Sequence, residues 1–532
     1  MKRLRFQIFA FLPVALLITF SCGGQDKELT DITCALDSLE HKLAWLDGRL
    51  ALENWSLLTT GESDSLAFYQ QLYDWVVADR ETFDFLHAAR DRVRNEIDNR
   101  RLEILYPAFL AAQVQNDKHV RSLRDSLVHV LSSYQAELHG QPSSRAHIES
   151  RFYYDSQRAN REQAYVALNL VGEEIADDVA RLFRLRNRAA QRLGYRDYFT
   201  MVLDQSELPL DEYLSLLQHI DSLTSEPYRK LIEQIRNRLH VQEVEIWDIP
   251  FSYSSVFREV DQSFQIDSQM YRMKYGLREL GFDLDKLPVY IRFEYREEGP
   301  PFAVALIVHP PYDQRVVGYW SHGLPAARAA VQEIAFAVQM SFVHQSQLLF
   351  CSVRDGAWLQ GMASIFADIL DRDEWLRTYT GISDELLVRY RKARCERDLV
   401  NIRLSLVQLF FEYEAYRDPD RNLNRLYWNL FNELMALPRH DGIKPWAAEA
   451  VYITRPVSSQ NYLLGDIISA QTLAYLERYN GSIVGNPETR AFLVQNYFRF
   501  GSRFHWRDLL ERGTGEPLQP KYLLERMGIA CR

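Results

Sequence analysis

One carboxylate, Glu333, lies within an unusually apolar stretch of the chain, and a carboxylate in such a place can serve as a general base. From Ala329 to Val338 the sequence reads AAVQEIAFAV, and Arg328 is the nearest other charged residue. An unpaired carboxylate inside a protein is costly, so its presence needs a reason. A core ion pair or a protonated acid is one explanation, and a remnant of a catalytic helix is another.

The spacing around Glu333 matches the HExxH arrangement, in which a general-base glutamate lies between two metal-binding histidines. Histidines four residues apart lie on one face of a helix and bind zinc together. Gln332 and Phe336 occupy the two histidine positions in this chain. Such a degenerate match carries little weight alone, so the flanking segments decide its meaning.

Those flanking segments resemble the helical gluzincin peptidases, in particular the angiotensin-converting-enzyme (peptidyl-dipeptidase A) family and its bacterial relatives. The resemblance covers most of the chain, and it depends on the shared order and spacing of several short elements. They are LFRLRNRAA at 182–190, LGYRDYF at 193–199, PPYDQRV at 310–316, QGMA at 360–363, QNYLLG at 460–465, GNP at 485–487 and GTGEPL at 513–518.

The resemblance assigns the three zinc-ligand positions to Gln332, Phe336 and Gln360. In the family the third ligand is a glutamate about 24 residues past the second histidine, and Gln360 lies 24 residues past Phe336. A catalytic zinc needs three ligands from His, Asp, Glu or Cys. A phenyl ring offers no lone pair and an amide oxygen is a poor ligand, so zinc and any other cofactor are predicted to be absent.

The resemblance also assigns the supporting residues of the site. The family's general base corresponds to Glu333 and its oxyanion-binding tyrosine to Tyr462, although Tyr462 could equally be a core aromatic residue. The transition-state histidine corresponds to Tyr452, and an acid that supports a ligand corresponds to Ser364. These catalytic positions are expected to be vestigial, and without a cation nearby, burial should raise the pKa of Glu333.

A metal site elsewhere is not indicated by the sequence. None of the 13 histidines forms HxH, HxxH or HxxxH, and His309, His322 and His344 near Glu333 are expected to be surface or core residues. Zinc lowers the pKa of bound water from about 15.7 to about 7, whereas a general base alone contributes about 10²- to 10⁴-fold. We therefore predict a catalytically inactive homologue, a pseudopeptidase whose cleft binds peptides.

Two alternatives to this reading stay open. One is an active metallopeptidase or oligopeptidase that uses a non-standard site, since Glu333 and Tyr462 are retained. The other is a structural or assembly protein of the cell envelope, in which the ring of Phe336 fills the vacated metal cavity and the cleft is closed.

The elements that must position these residues are mainly helices. Leucines at 36, 39, 43 and 46, and apolar residues at 175, 179, 182 and 183, recur at helical spacing. Trp247–Phe251 is expected not to be helical, and Pro288–Phe293 and Phe302–Val308 are expected to be two strands of one sheet. Helices resume at Pro325. The predicted fold is mainly α: a bilobal, helical, zincin-like metallopeptidase fold with a deep central cleft and a small β-sheet at its edge.

The start of the chain predicts export. Lys2, Arg3 and Arg5 precede an apolar run that ends near Cys22, as in a bacterial lipoprotein signal. Residues 1–22 are therefore predicted to be a signal peptide, with Cys22 as the lipidated residue. Residues 23–532 are predicted to form one metallopeptidase-like unit, held by a lipid anchor at the membrane of the bacterial cell envelope, or otherwise secreted.

Charge and cysteine content indicate which partners and which disulfide bonds are expected. The formal net charge is −10 and the basic residues are scattered, which argues against nucleic acid as a partner. Cys34, Cys351, Cys395 and Cys531 are widely spaced in sequence. Disulfides between them are permitted in an exported protein, and isolated thiols are the other possibility.

Overall fold

Helices account for most of the chain. The computed structural model describes residues 25–264, 266–295, 302–321 and 323–529. The α-helices are α1 Gln25–Thr60, α2 Leu66–Ala78, α3 Arg80–Ala89, α4 Glu96–Gln115, α5 Lys118–Ser133, α6 Arg145–Tyr154, α7 Arg158–Asn169, α8 Val171–Arg192, α9 Tyr198–Leu203, α10 Leu210–Leu239, α11 Ile249–Asp261, α12 Ile266–Glu279, α13 Leu324–Ser341, α14 Gly356–Leu370, α15 Asp373–Thr380, α16 Asp384–Arg417, α17 Leu423–Met435, α18 Pro445–Ala448, α19 Ala450–Thr454, α20 Gln460–Asn480, α21 Glu488–Asn496, α22 Trp506–Thr514 and α23 Lys521–Arg526. The strands are β1 Glu137–Leu138, β2 Gln141–Pro142, β3 Val289–Tyr295, β4 Phe302–His309 and β5 Asp313–Trp320.

The helical periodicities in the sequence correspond to buried helix faces. The leucines of the first series form the buried face of α1, and the apolar residues of the second series form that of α8. These faces belong to one continuous apolar core whose buried members run from Ile32 to Met527. The amphipathic pattern therefore places each helix against the core, as its spacing predicts.

The three-stranded sheet differs from the sequence prediction in its order. The two predicted strands are present as β3 and β4, but they are not neighbours, because β5 lies between them in the order β3–β5–β4. β5 pairs parallel with β3 and antiparallel with β4. It escaped prediction because it begins with the polar residues Asp313, Gln314 and Arg315, which do not look like a buried strand. β3 and β4 are consequently both edge strands.

The prediction for Trp247–Phe251 is wrong. Ile246–Asp248 forms a short 3₁₀ turn that leads directly into α11. Pro250 lies in the first turn of that helix, where its missing amide hydrogen has no intrahelical partner to lose. The proline thus lies at the start of a helix at this point.

The sheet is covered by helices on both faces. On one face, Leu306 of β4 and Val317 of β5 form a small buried cluster with Ala51 of α1. α13 contacts β4 and β5 as well. Because successive residues of a strand point to opposite faces, Ala305 is directed away from the α1 side. The sheet is thereby held between α1 and α13, with the outer edge of β4 beside the Glu333 segment.

Within the described residues, none of the helices combines the length and the apolar character that a membrane crossing demands. The signal-peptide prediction for residues 1–22, including Cys22, lies outside the described part of the chain. Of the cysteines, Cys34 is exposed, Cys351 is buried and Cys395 is partly buried, and these three are free thiols.

Candidate functional site

The helix that carries Glu333, α13, is a core helix. Pro325 occupies its first turn, and most of its apolar residues are buried, among them Val331, Ile334 and Val338. One side packs on the sheet and another on α14. A helix held on two sides fixes the positions of its side chains, and this is the property that a binding site needs.

Glu333 is bound to the edge strand of the sheet. One of its carboxylate oxygens, Oε2, accepts a hydrogen bond of 2.7 Å from the main-chain N–H of Ala305 in β4. Burial raises the pKa of Glu333, and the bond from Ala305 only partly opposes this rise. The expected direction of the shift is confirmed, and the carboxylate's partner is a backbone amide.

Gln332 and Phe336 lie on α13 and Gln360 lies on α14, two helices that pack against each other. Arg328 in α13 donates a hydrogen bond of 2.9 Å to the carbonyl oxygen of Ala367 near the end of α14, and α14 starts soon after α13 ends, so the two helices run antiparallel. Gln332 and Phe336, one and two turns along α13 from Arg328, are therefore level with the part of α14 that holds Gln360. All three side chains are partly exposed, whereas a sealed core would bury them.

Gln360 belongs to a chain of polar contacts that reaches α20. Its side-chain nitrogen donates to the hydroxyl of Ser364 at 3.3 Å, and that hydroxyl donates to Asp466 at 3.2 Å. Burial raises the pKa of Asp466 to about 6. Sequence reasoning missed Asp466, although it is a lone acid in the apolar run LLGDII of α20. The same signal had singled out Glu333.

α14 and α20 approach each other closely along this chain of contacts. A Cβ atom on Gly465 would come within 2.7 Å of the Cβ and Cγ atoms of Gln360, and one on Gly361 within 2.7 Å of a methyl group of Ile468. These distances are too short for any side chain. The two glycines therefore let the helix backbones meet and set the position of Gln360.

Tyr462 lies in the first turn of α20 and is partly exposed. It is 48% exposed and lines a charged cavity of about 970 Å³ together with Arg328 and Asp466. Gln332, Glu333, Phe336 and Gln360 are not among the residues that line this cavity. Tyr462 is thus on α20 and Glu333 on α13, and both of these helices pack against α14.

Tyr452 does not join the site. It is 1% exposed, its hydroxyl donates to the main-chain oxygen of Gln408 at 3.2 Å, and its ring packs against Phe411. Burial raises its pKa well above the usual value. Tyr452 is therefore a core residue with a satisfied hydroxyl group.

The side chains present do not fit a zinc ion. Among the described residues, no group of three or more His, Cys, Asp or Glu side chains converges to hold a metal. Gln332, Phe336 and Gln360 supply two neutral amides and a hydrocarbon ring, which cannot replace imidazole and carboxylate ligands. Of the nearby histidines, His309 and His344 are exposed, and His322 lies outside the described residues.

No protein-family model and no curated protein sequence matches the chain. Among solved structures, the chain is similar to the crystal structure of M32 carboxypeptidase from Deinococcus radiodurans R1, with a TM-score of 0.61 and 14% sequence identity. The match covers 95% of this chain and 100% of the carboxypeptidase. Since identity is low, the similarity concerns the fold. The chain has the mainly helical, zincin-like metallopeptidase fold that the sequence predicts, with small sheets.

Proposed function

We propose that this protein is a metallopeptidase homologue that binds peptides without hydrolysing them. The observation that carries the proposal is the setting of Glu333: a carboxylate in the general-base position whose partner is the amide of an edge strand, Ala305. Around it lie Gln332, Phe336 and Gln360, whose atoms are unsuited to zinc. The fold supplies the frame of a peptidase, and these side chains supply no means to activate water.

The angiotensin-converting-enzyme resemblance and the loss of the metal site belong to this proposal. If the assignment of Gln332, Phe336 and Gln360 to the ligand positions is right, all three ligands have changed together. Ser364 and Tyr452 have changed as well, and Tyr452 packs in the core. Replacement of the ligands and of their supporting residues is the pattern expected when hydrolysis is no longer maintained.

Peptide binding is proposed at the outer edge of β4. An edge strand presents main-chain donors and acceptors on its free side, and an extended peptide can pair with them as an added strand. Glu333 lies beside this edge, and Gln332 and Phe336 on the same helix are partly exposed as it is. A partly exposed setting favours an accessible cleft over the closed form in which Phe336 seals the cavity.

Purified protein tests the proposal in two measurements. Elemental analysis should find zinc far below one ion per chain, and incubation with mixed oligopeptides should release no dipeptides or single amino acids. Stoichiometric zinc together with chelator-sensitive release of products would contradict the proposal and favour the active-peptidase alternative. Peptide capture is tested separately, with fluorescein-labelled libraries of random nonapeptides.

The proposed location is the bacterial cell envelope, with a lipid on Cys22 as the membrane anchor. Metabolic labelling with radioactive palmitate should label the full chain. A Cys22→Ala variant should carry no label and should leave the membrane fraction. Retention of the variant with the membranes would argue against the anchor.

A further inference from the structure

One main-chain donor at the outer edge of β4, the N–H of Ala305, is already hydrogen-bonded. Among the described strands β4 pairs only with β5, and the amide of Ala305 points to the other side, where Glu333 accepts its hydrogen bond. Residues two apart in a strand point the same way, so Ala303 and Ile307 direct their main-chain groups to this same outer side. An added strand would therefore have to pair around Ala305.

The carboxylate of Glu333 stands where a carbonyl oxygen of such a strand would stand. A peptide that pairs with β4 needs an acceptor within about 3 Å of the Ala305 nitrogen, and Oε2 of Glu333 is 2.7 Å from it. One N–H cannot donate at full strength to two oxygens at once. Binding of an extended peptide at this point thus requires the hydrogen bond between Glu333 and the Ala305 amide to break.

When Glu333 is ionised, no arginine or lysine among the described residues balances its charge. Burial is the larger influence on the pKa of Glu333 and raises it, and the hydrogen bond from Ala305 opposes this rise. Within the described residues, no arginine or lysine forms an ion pair with it, and Arg328, one turn away on α13, is paired with Asp368 and Asp371. A cation placed beside a partly buried carboxylate that has no other counter-ion stabilises its ionised form.

We propose that Glu333 acts as both the gate and the selector of the peptide site: it blocks the Ala305 amide until a peptide displaces it, and it then pairs with a basic side chain of that peptide. This inference rests on the peptide-binding function proposed above. It names the ligand class as extended peptides that carry lysine or arginine at the position facing Ala305. Peptides with an acidic residue there are repelled by the same carboxylate.

The test uses two fluorescein-labelled libraries of random nonapeptides that differ only in a central residue fixed as lysine or as glutamate. The intact protein should bind the lysine library at least about tenfold more tightly, since a hydrogen bond or ion pair to a charged group is worth about that factor or more. Glu333→Gln keeps a neutral acceptor for Ala305, so the preference should fall to within about twofold and binding of the glutamate library should stay weak. Glu333→Ala removes the acceptor too, so the glutamate library should bind about tenfold more tightly than to intact protein.

Hydrogen–deuterium exchange supplies a readout that needs no peptide. Exchange at the amide of Ala305 should be faster in Glu333→Ala than in intact protein and close to normal in Glu333→Gln. Glu294→Ala is the matched control, because Glu294 is an exposed glutamate on β3, the opposite edge of the same sheet, where it pairs with Arg292. It should leave both the library preference and the Ala305 exchange unchanged.

The outcomes separate the two proposals. If intact protein binds both libraries equally and the Glu333 variants change nothing, the gate is refuted while the peptide site stands. If neither library binds to intact protein or to any variant, the peptide-binding function fails and the gate fails with it. A preference for lysine that survives in Glu333→Ala would also overturn the inference, because the selecting charge would then lie elsewhere.

Discussion

At the scale of single residues, the site depends on one hydrogen bond, which the main-chain N–H of Ala305 donates to the carboxylate of Glu333. A lone acid in an apolar helix is visible in the printed sequence, and the direction of its pKa shift follows from that setting alone. Ala305 could not be found in this way, because the group that matters is its main-chain N–H. A backbone donor leaves no trace in residue type, so contacts of this kind appear only when the strand and the helix are placed in space.

A first prediction concerns the pH dependence of stability. Because burial raises the pKa of Glu333 in the folded protein, the folded state holds its proton to higher pH than the unfolded state does. Its contribution to the free energy of unfolding should therefore fall as pH rises from about 4.5, the ordinary glutamate range, through the raised pKa. Glu333→Gln should lack this component and should be more stable than intact protein at pH 8. Urea unfolding at several pH values measures the difference, and equal slopes in both proteins would contradict it.

A second prediction tests the assignment of the ligand positions. Gln332→His, Phe336→His and Gln360→Glu in one chain should create a site that binds about one zinc ion, since the antiparallel helices bring the three positions toward one another. Zinc content and a metal-dependent rise in the melting temperature are the measurements. A triple alanine variant at the same positions is the control and should bind none. If the histidine variant also binds none, the assignment to these three positions is wrong.

At the scale of elements, helices were easier to predict than strands. Long amphipathic helices can be predicted from the spacing of their apolar residues, such as the leucines of α1. β5 cannot, because its polar start and its central place in the sheet give contradictory signals, and the order β3–β5–β4 depends on pairings between distant residues. The error at Trp247–Phe251 has the same source: a proline can begin a helix or break one, and the sequence alone does not say which.

A third prediction concerns the contact between α14 and α20. Gly465→Ala would push a methyl group to within 2.7 Å of the Gln360 side chain and 2.8 Å of the Gly361 nitrogen. Since backbone cannot move aside cheaply, the substitution should destabilise the protein by about 1–3 kcal/mol. Gly442→Ala is the control, because nothing lies within 4 Å of a Cβ at that position. Chemical denaturation compares the two, and an equal effect would show that the helices can part without cost.

At the scale of the whole molecule, the end of the chain is tied to the helices of the site. Arg526 of α23 and Arg328 of α13 both pair with Asp368 of α14, which also accepts a hydrogen bond of 2.9 Å from Ser469 of α20. Burial would raise the pKa of Asp368, but the two arginines lower it below its usual value. One carboxylate thus joins four helices that are far apart in sequence.

A fourth prediction follows from that junction. Arg526→Met should lower the free energy of unfolding by about 3 kcal/mol, because it leaves the largely buried carboxylate of Asp368, 12% exposed, with part of its compensation removed. The matched control is Arg145→Met, which breaks an exposed pair with Glu149 and should cost at most about 0.5 kcal/mol. Thermal unfolding measures both variants. A loss from Arg526→Met no larger than that from the control would mean that the junction is dispensable.

The fold as a whole was within reach of the sequence, through a resemblance spread over many short segments. The chain shares its fold with a carboxypeptidase structure at 14% sequence identity. Two very different sequences can thus form the same arrangement of helices, because a core needs apolar side chains at the right spacing rather than particular ones. The site is different: its chemistry depends on single atoms. The exposure of Tyr462 and the burial of Tyr452 came only from the three-dimensional arrangement.

The hydrogen bond between Glu333 and Ala305 has one more consequence, for the protein in a crowded compartment. A free strand edge can form main-chain hydrogen bonds with the same edge of a neighbouring copy, and such pairing is one way in which β-containing proteins begin to aggregate. A negatively charged group fixed beside the middle of β4 repels its own counterpart on a second copy. The carboxylate of Glu333 should thus also oppose pairing of this edge with the same edge of a second copy.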